Sequence, residues 1–321
     1  MIDFEQDTII VTGSHGFLGS YVVETLKKRG AKHIKTMTKS DCDLTESSSV
    51  YCFFLNYTES FDYKWPSPIH VIHCAGYNGG IEFNRREPIK VIESNTLMGF
   101  NLLKQCVRFG VKKVVSVMSS CAYQDSKKIL CEEEFGYGPC NPSIECHGYA
   151  KRMLFYASKA YKQQIGLNAV TACITNLYGP RDSFHPLRTK VVGALVKKFV
   201  DAKNENSPNV ICWGSGKPLR EFMYVKDAAE YLVRTLEVYD DTSLPINIGT
   251  GSDISIKKLA KTIAKLVGYK GKIIWDTSKG DGQMKKLLSN KRTKEILGEL
   301  QLTSLEGGLL ETIRYYEGLP K

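Results

Sequence analysis

The sequence predicts an α/β fold in which helices cover both faces of a doubly wound parallel sheet. From residue 7 to residue 180, short apolar runs alternate with helical patterns, and the first run leads into a glycine-rich turn. Consecutive parallel strands need crossover helices, so this alternation indicates a parallel sheet. A chain of 321 residues with 42% hydrophobic content is long enough to bury such a core.

The first unit is a strand, a glycine turn and a helix. The run "DTIIV" is followed by "TGSHGFLGS", and the helical spacing of Leu18, Val22 and Leu26 continues until Gly30. The glycines form the pattern G-x-x-G-x-x-G, which permits a tight turn and brings backbone and helix N–H groups close to a pyrophosphate. This pattern predicts a Rossmann-type dinucleotide site. Its loop residues are Gly13, Ser14, Gly16, Phe17, Leu18 and Gly19.

The second strand, in "HIKTMTKSDCDLTE", indicates which dinucleotide binds. NAD sites usually place an acidic residue at the end of this strand, whereas NADP sites need a cation for the 2′-phosphate. The strand leads to Thr38 and Lys39, which favours NADP, although Asp41 argues the other way. We expect Asp43 and Leu44 to lie against the adenine.

The next elements continue the alternation. Strands are predicted in "HVIHCAG", "KKVVSVMSS" and "NAVTACITNLYGP", with helices over 88–109 and 147–165 that end at Gly110 and Gly166. After residue 180 the pieces become shorter. They comprise a helix near 190–203, a strand "NVICW", a turn "GSGKP", the segment "REFMYV" before a helix from 226, and helices over 255–267 and 305–317 with Ser255 and Ser304 before them.

This change divides the chain into two predicted parts. Residues 1–180 would form the dinucleotide-binding domain, to which later segments return. Residues 181–321 would mainly form a smaller α/β part that binds the substrate.

Composition limits the class of protein. The chain has no apolar run near the roughly 20 residues of a membrane span and no signal-peptide pattern at its start, so we expect a cytoplasmic protein without membrane contact. Ten cysteines without a C-x-x-C pair predict reduced, mostly buried thiols and no metal site. The net charge of +10 is spread over many segments, which argues against nucleic acid as a partner.

The segment "ECHGYAKRM" contains an unusual spacing. Tyr149 and Lys151 resemble the phenol and ammonium of a carbonyl reductase, but two residues turn a helix by about 200°, so they point in nearly opposite directions. Residues four apart share a helix face. The residue four before Lys151 is His147.

Several segments together resemble GDP-L-fucose synthases over the whole chain. In order they are the glycine loop, "CAGYNGGI", "SSCAY", "YAKRM", "NLYGPRDSF", "WGSGKPLREFMYV", "NIGTG" and "DTSKGDGQMKKL". These extended short-chain dehydrogenases epimerise C3 and C5 of GDP-4-keto-6-deoxymannose and reduce C4 with NADPH. The resemblance implies NADP as cofactor, a GDP-linked sugar as substrate and a homodimer formed through long helices.

The resemblance also implies roles for single residues. Lys151 would hold the nicotinamide ribose and lower the pKa of the proton donor, and Ser119 would hydrogen-bond the C4 oxygen. Gly76, Asn176 and Leu177 would border the cofactor, with Asn176 also facing the sugar. The residues that would hold the GDP part are Lys198, Trp213, Arg220 and Asp281, whose cations, ring and carboxylate suit phosphates and a guanine nucleoside.

Two positions depart from the family. His147 stands where the family has its tyrosine, and Lys190 stands where the family has its epimerisation histidine. Cys121 could act as the base of an epimerisation or could simply line the site. Lys190 is a poor proton donor unless burial lowers its pKa, so we expect it to contact the cofactor phosphates instead.

The predicted function is therefore NADPH-dependent 4-keto reduction of a GDP-4-keto-6-deoxy hexose or heptose, with little or no epimerisation. Such an enzyme would serve capsule, lipopolysaccharide or glycan synthesis. The alternatives are a complete GDP-L-fucose synthase and a non-catalytic nucleotide-sugar or NADP-binding protein. His147 is the expected proton donor, because imidazolium titrates near neutral pH. Water, Ser119, or Tyr149 after local distortion of the helix, are the alternative donors.

Overall fold

The computed structural model describes residues 2–57 and 67–320. The strands are β1 (Thr8–Thr12), β2 (His33–Met37), β3 (Ile69–His73), β4 (Lys113–Ser119), β5 (Asn168–Ile174), β6 (Asn176–Tyr178), β7 (Asn209–Trp213), β8 (Leu219–Arg220), β9 (Phe222–Tyr224), β10 (Ile246–Ile248), β11 (Ile254–Ser255), β12 (Lys272–Asp276) and β13 (Lys285–Lys286). The helices are α1 (Phe17–Lys28), α2 (Ser47–Leu55), α3 (Ile81–Arg86), α4 (Pro88–Arg108), α5 (Glu145–Ile165), α6 (Val191–Asn204), α7 (Val225–Val238), α8 (Ile256–Val267), α9 (Lys291–Leu297) and α10 (Leu305–Glu317).

The central sheet has the strand order β2-β1-β3-β4-β5-β10, and all of its neighbouring strands are parallel. The predicted doubly wound parallel sheet is thus confirmed. The chain runs outward from β1 to β2 and then crosses to β3 on the other side, so the winding direction reverses between β1 and β3. Ligands of such sheets bind at the carboxyl ends of the strands beside this reversal.

Helices cover both faces of this sheet. On one face, Leu26 of α1 and Leu232 of α7 are buried in the same apolar cluster as Val11 of β1. On the other face, Leu102 of α4 and Leu154 of α5 are buried with side chains of α2 and β3. Each fully buried leucine contributes about 1.5–3 kcal/mol relative to an exposed one, so both faces stabilise the sheet.

The smaller part begins where the chain leaves β5. Thr175 interrupts the strand and donates its N–H to Ile248 of β10, and β6 then pairs with β9 outside the central sheet. The prediction of one strand through "NAVTACITNLYGP" is therefore wrong, because Thr175 separates two strands of different sheets. Two further small sheets, β7-β12 and β11-β8-β13, complete this part with the packed helices α6, α8 and α10.

The helix boundaries agree closely with the predicted ones. α5 begins at Glu145, two residues before the predicted start, and α8 and α10 are capped as predicted: Ser255 accepts a hydrogen bond from the N–H of Lys258 and Ser304 from that of Gly307. The three-residue strand β10 returns to the central sheet from late in the sequence.

The cysteines are all free, but only five of the ten are buried, so the expectation that most are buried holds for half of them. Among residues 2–57 and 67–320, no cluster of three or more potential ligands could hold a metal ion. No helix in this described part of the chain has both the length and the apolar character to cross a membrane.

Candidate active site

The glycine loop lies at the carboxyl end of β1, beside the reversal of the sheet. Gly13 has φ of +63°, and a Cβ there would be 2.9 Å from the backbone of Ala75, which follows β3. A Cβ on Gly19 would clash with the Gly13 carbonyl. Both positions therefore require glycine.

This loop leaves polar groups available for an anion. No side chain caps α1 at Gly16, so its first N–H groups point out of the helix without a side-chain partner. The Ser14 hydroxyl is buried and also lacks a hydrogen-bond partner. Phe17 and Leu18 form the first turn of α1 and pack against the neighbouring core. These features fit the pyrophosphate of a dinucleotide.

The residues after β2 suit a ribose 2′-phosphate. Lys39 is largely exposed, and its Nζ lies 3.5 Å from Asp43 Oδ2. Asp41 Oδ2 instead accepts hydrogen bonds from the N–H and hydroxyl of Thr38, which lower the pKa of that carboxyl. Leu44 is buried, and its carbonyl accepts a hydrogen bond from Asn101. Asp41, the acidic residue that argued for NAD, thus has its carboxylate engaged in hydrogen bonds within its own turn.

The catalytic candidates meet where β4 ends and α5 begins. Ser119 ends β4, and its hydroxyl accepts a hydrogen bond from the N–H of Cys121 at 3.3 Å. His147 is only 3% exposed, and its imidazole interacts with the Cys121 sulfur. Lys151 lies one turn further along α5 and is also buried. The predicted shared face of His147 and Lys151 is confirmed, and it points toward Ser119 and Cys121.

The first turn of α5 is regular and lacks the distortion that would bring Tyr149 to the side of the helix that carries His147. Tyr149 is 39% exposed and lies on the opposite side of the helix from His147. Its ring packs under the guanidinium of Arg152, 5.4 Å from the ring centroid.

Three neighbours and burial set the protonation of His147. Burial lowers the pKa of its imidazole first, and the charges of Lys151 and Lys190 lower it further. The hydrogen bond and charge of Cys121 act in the opposite direction, but the net pKa is below the ordinary value of histidine. Of these three neighbours, only Cys121 favours the protonated imidazolium form.

The side chain of Lys151 reaches the backbone of β4. Its Nζ donates to the Val117 carbonyl at 3.0 Å, and burial lowers the pKa of its ammonium to about 8. Gly76, after β3, lies beside this Nζ. Two residues that were predicted to contact the cofactor therefore come together.

The chain after β5 brings further predicted residues to the site. Asn176 donates its side-chain N–H to the Glu221 carbonyl at 2.9 Å, and Leu177 is buried behind it. Lys190 immediately precedes α6, and its charge acts on both His147 and the buried carboxyl of Asp182. Lys190 thus lies near the catalytic candidates.

The residues predicted to hold GDP form two groups. Lys198 Nζ lies 5.4 Å from the ring centroid of Trp213 and donates to the Ile211 carbonyl, while Trp213 is 59% exposed. Asp281 accepts hydrogen bonds from the N–H and hydroxyl of Ser215, both at 2.7 Å. Its charge also acts on Arg220, whose guanidinium has a pKa lowered by burial. Asp281 therefore fixes a loop as well as facing Arg220.

Two residues of this site were not found from the sequence. Lys286 Nζ lies 3.2 Å from Cys121 Sγ, and Lys286 is 4% exposed. Glu221 is fully buried and accepts hydrogen bonds from the N–H groups of Gly251 and Leu288, at 2.7 and 3.1 Å. Both residues belong to segments that carry the family resemblance, "REF" and "KKL", but neither side chain had an assigned role.

Together, these residues can bind a dinucleotide at the loop after β1 and a carbonyl between Ser119, Cys121 and His147. Four neighbouring cations make the site electropositive, which suits a substrate with a diphosphate. They are Lys151, Lys190, Arg220 and Lys286.

The chain is similar in sequence and in structure to several known proteins. Residues 9–249 match the model of the NAD dependent epimerase/dehydratase family. The chain is 34% identical over 317 residues to the GDP-L-fucose synthase of Escherichia coli (strain K12), covering 96% of each chain.

Two solved structures share the fold over nearly the full length. A GDP-L-fucose synthetase from Naegleria fowleri bound to NADP has a TM-score of 0.85 and 30% identity, covering 100% of this chain and 96% of that one. A GDP-6-OMe-4-keto-L-xylo-heptose reductase from C. jejuni has a TM-score of 0.87 and 26% identity, covering 98% and 99%.

Proposed function

Because the chain belongs to the NAD dependent epimerase/dehydratase family, in its GDP-L-fucose synthase-like branch, we propose that it is an NADPH-dependent oxidoreductase. Its reaction is reduction of the 4-keto group of a GDP-linked 4-keto-6-deoxy sugar, a hexose or a heptose. The names of similar proteins support this substrate class, since they include a fucose synthase and a 4-keto-heptose reductase. Such an enzyme would serve capsule, lipopolysaccharide or glycan synthesis.

One observation carries the proposal: buried His147 lies beside Cys121 and Ser119, and buried Lys151 contacts Val117 of β4, at the sheet edge that also bears the glycine loop. A proton donor, a carbonyl-binding hydroxyl and a dinucleotide loop at one edge are what carbonyl reduction requires.

NADPH would supply the hydride when bound. The loop from Gly13 to Gly19 would hold its pyrophosphate, and Lys39 would contact its 2′-phosphate. Asp43 and Leu44 would lie near the adenine. Lys151 and Gly76 would border the nicotinamide ribose, with Asn176, Leu177 and Lys190 on the other side of the cofactor.

His147 would transfer its proton to the C4 oxygen while Ser119 donates a hydrogen bond to the same atom. The Cys121 N–H occupies only a lone pair of the Ser119 hydroxyl, and the one hydroxyl hydrogen, which also interacts with the Cys121 sulfur, would turn to the C4 oxygen. The side chains that would hold the GDP part are Lys198, Trp213, Arg220 and Asp281.

We also propose that the protein forms a homodimer in the cytoplasm. The support for a dimer is a stripe of exposed apolar side chains on α4 and α5, namely Ile92, Leu97, Phe100, Met153 and Tyr156. The support for the compartment is the set of free cysteines, which suits a reducing environment.

A second function, a complete GDP-L-fucose synthase, is favoured by the contact between Cys121 and Lys286. A thiolate is a competent base for removing a proton beside a ketone, and epimerisation at C3 and C5 starts with that step. Lys190 would then have to act as the acid partner.

The test is one incubation with GDP-4-keto-6-deoxymannose and NADPH in heavy water. Absorbance at the nicotinamide band follows reduction, and mass spectrometry with NMR follows deuterium at C3 and C5. Oxidation of NADPH without deuterium at these carbons supports a reductase that does not epimerise. Oxidation with deuterium and inversion at both carbons supports the complete synthase. No oxidation of NADPH with this substrate, together with none in a parallel incubation with a GDP-linked 4-keto heptose, contradicts both functions.

A further inference from the structure

Lys286 is a buried lysine whose ammonium faces a sulfur. Its Nζ lies 3.2 Å from Cys121 Sγ, within hydrogen-bonding distance for sulfur. Within residues 2–57 and 67–320, no carboxylate forms an ion pair with Lys286, whereas the adjacent Lys285 lies 3.9 Å from Asp253. A buried ammonium needs a counter-charge. The thiolate form of Cys121 can provide it.

The fold fixes Lys286 in this position. In β13 its backbone pairs in register with Arg220 of β8, and its side chain points inward whereas that of Lys285 is more exposed. Two residues further on, the N–H of Leu288 donates to the buried carboxylate of Glu221. Strand β13 is therefore fixed both by its pairing with β8 and by the hydrogen bond of Leu288, so Lys286 has little freedom to move away from the Cys121 sulfur.

We propose that Lys286 is a positioning residue that holds Cys121 in its thiolate form, so that a base stands beside the substrate carbonyl and next to His147. Lys286 itself need not touch the reacting carbons, because it acts through the sulfur. The consequence for catalysis rests on the second proposed function, in which Cys121 starts an epimerisation, but the charge state of Cys121 does not.

The charges around Cys121 support this assignment. Burial raises the pKa of the Cys121 thiol, but the Lys286 charge and hydrogen bonds from His147 and Ser119 outweigh it, and the net pKa lies well below the ordinary value. The other titratable or charged groups near this sulfur are Arg220 of β8, Cys173 of β5 and Cys140 before α5. Of these, Arg220 also favours a thiolate.

The test measures alkylation of Cys121 by iodoacetamide from pH 5 to pH 10, with the full-length chain and saturating NADP⁺. Mass spectrometry of the peptide that contains Cys121 separates it from the other nine cysteines. Iodoacetamide is uncharged, so removing a lysine does not change its local concentration. The midpoint of the pH–rate curve is compared rather than one rate, because the reactivity of a thiolate also changes with its pKa.

We expect the wild-type midpoint to lie below the value of about 8.5 for a free cysteine. Lys286→Met should move it upward by at least one pH unit, so that the thiolate fraction at a pH below both midpoints falls about tenfold or more. Lys286→Arg should retain the acidic midpoint because it keeps a cation. The matched control is Lys285→Met, which removes an equal charge one residue away and should leave the midpoint unchanged.

A wild-type midpoint at or above the free-cysteine value would overturn the inference, even if Lys286→Met did not fold. Equal midpoints for the wild type and Lys286→Met, or equal shifts for Lys285→Met and Lys286→Met, would also overturn it. The measurement uses no sugar substrate. Its outcome is therefore independent of whether the proposed reductase function is correct.

Discussion

If His147 is the proton donor, as proposed, a histidine in place of a phenol should change how the reduction rate depends on pH. Tyrosine keeps its proton up to about pH 10, whereas histidine loses its charge near 6.5. Burial and the charges of Lys151 and Lys190 hold the pKa of His147 below that ordinary value. The donor form is the protonated one, so its fraction falls as pH rises through this lowered pKa.

The variant His147→Tyr should therefore extend reduction to higher pH. For the wild type we expect kcat for NADPH oxidation to fall about tenfold per pH unit above a midpoint below 6.5. The tyrosine should stay protonated through neutral pH, so its rate should hold until Lys151 loses its charge at a pKa of about 8. The measurement is the pH–rate profile between pH 5.5 and 9 with saturating substrate.

Tyr149→Phe is the control for this experiment, because it removes a phenol from the exposed face of the same helix turn. Its profile should match that of the wild type. If the His147→Tyr profile also matched the wild type, the proton would come from water or Ser119 rather than from position 147.

At the scale of the elements, the N-terminus of α5 is held against the turn that carries Cys121. A Cβ on Gly148 would lie 2.5 Å from the Cys121 carbonyl oxygen and 2.9 Å from Cys140 Sγ. The first neighbour is backbone, so it cannot rotate away. The absence of a side chain at Gly148 thus allows His147 to reach Cys121.

Gly148→Ala should accordingly destabilise the protein. Alanine usually stabilises a helix interior by about 0.5–1 kcal/mol relative to glycine, but overpacking of a rigid core costs about 1–3 kcal/mol. We expect a net loss in the free energy of unfolding, measured by urea denaturation. Gly280→Ala is the control, since a Cβ at Gly280 meets open space. A variant Gly148→Ala as stable as Gly280→Ala would show that α5 can shift without cost.

Long elements with a clear period were predictable from the sequence, and short ones were not. The shared face of His147 and Lys151 follows from their four-residue spacing alone. The strand β10 has three residues and joins the sheet only through tertiary pairing with β5, so no local pattern reveals it. Helix α2 was missed for a different reason, because "SSSVYCFFL" lacks a polar face and a helical period.

The same limit applies to the site. The glycine loop and Lys39 are local signals beside β1 and β2, and they predicted a cofactor loop and a cation after β2. Lys286 could not be distinguished from Lys285, because the two-residue strand β13 has no periodicity and its inward side is set by pairing with β8. Site residues that come together from α5, β8 and β13 can be identified only from the tertiary structure.

On the scale of the whole molecule, the two faces of the sheet differ in what covers them. α1 is covered by α7, and this layer includes the contact between Arg29 and Glu230. α4 and α5 pack on each other and on the sheet, but their outer sides expose apolar residues, including Phe100 and Met153. Exposure of such an apolar stripe to water is unfavourable. The same helix pair of a second copy of the chain would cover it.

This asymmetry yields the last prediction. The wild type should have twice the mass of a 36.0 kDa chain in solution, and the double variant Phe100→Glu with Met153→Glu should have the mass of one chain. In a symmetric interface each glutamate would be buried without a partner, which costs desolvation free energy. Each substitution occurs twice in such an interface, so this cost is doubled. Light scattering after size-exclusion chromatography measures the mass. Val238→Glu adds a charge at an exposed apolar residue of α7, on the other face, and should remain dimeric. A wild-type mass of one chain would contradict the dimer, and a double variant that stays dimeric would move the interface away from α4 and α5.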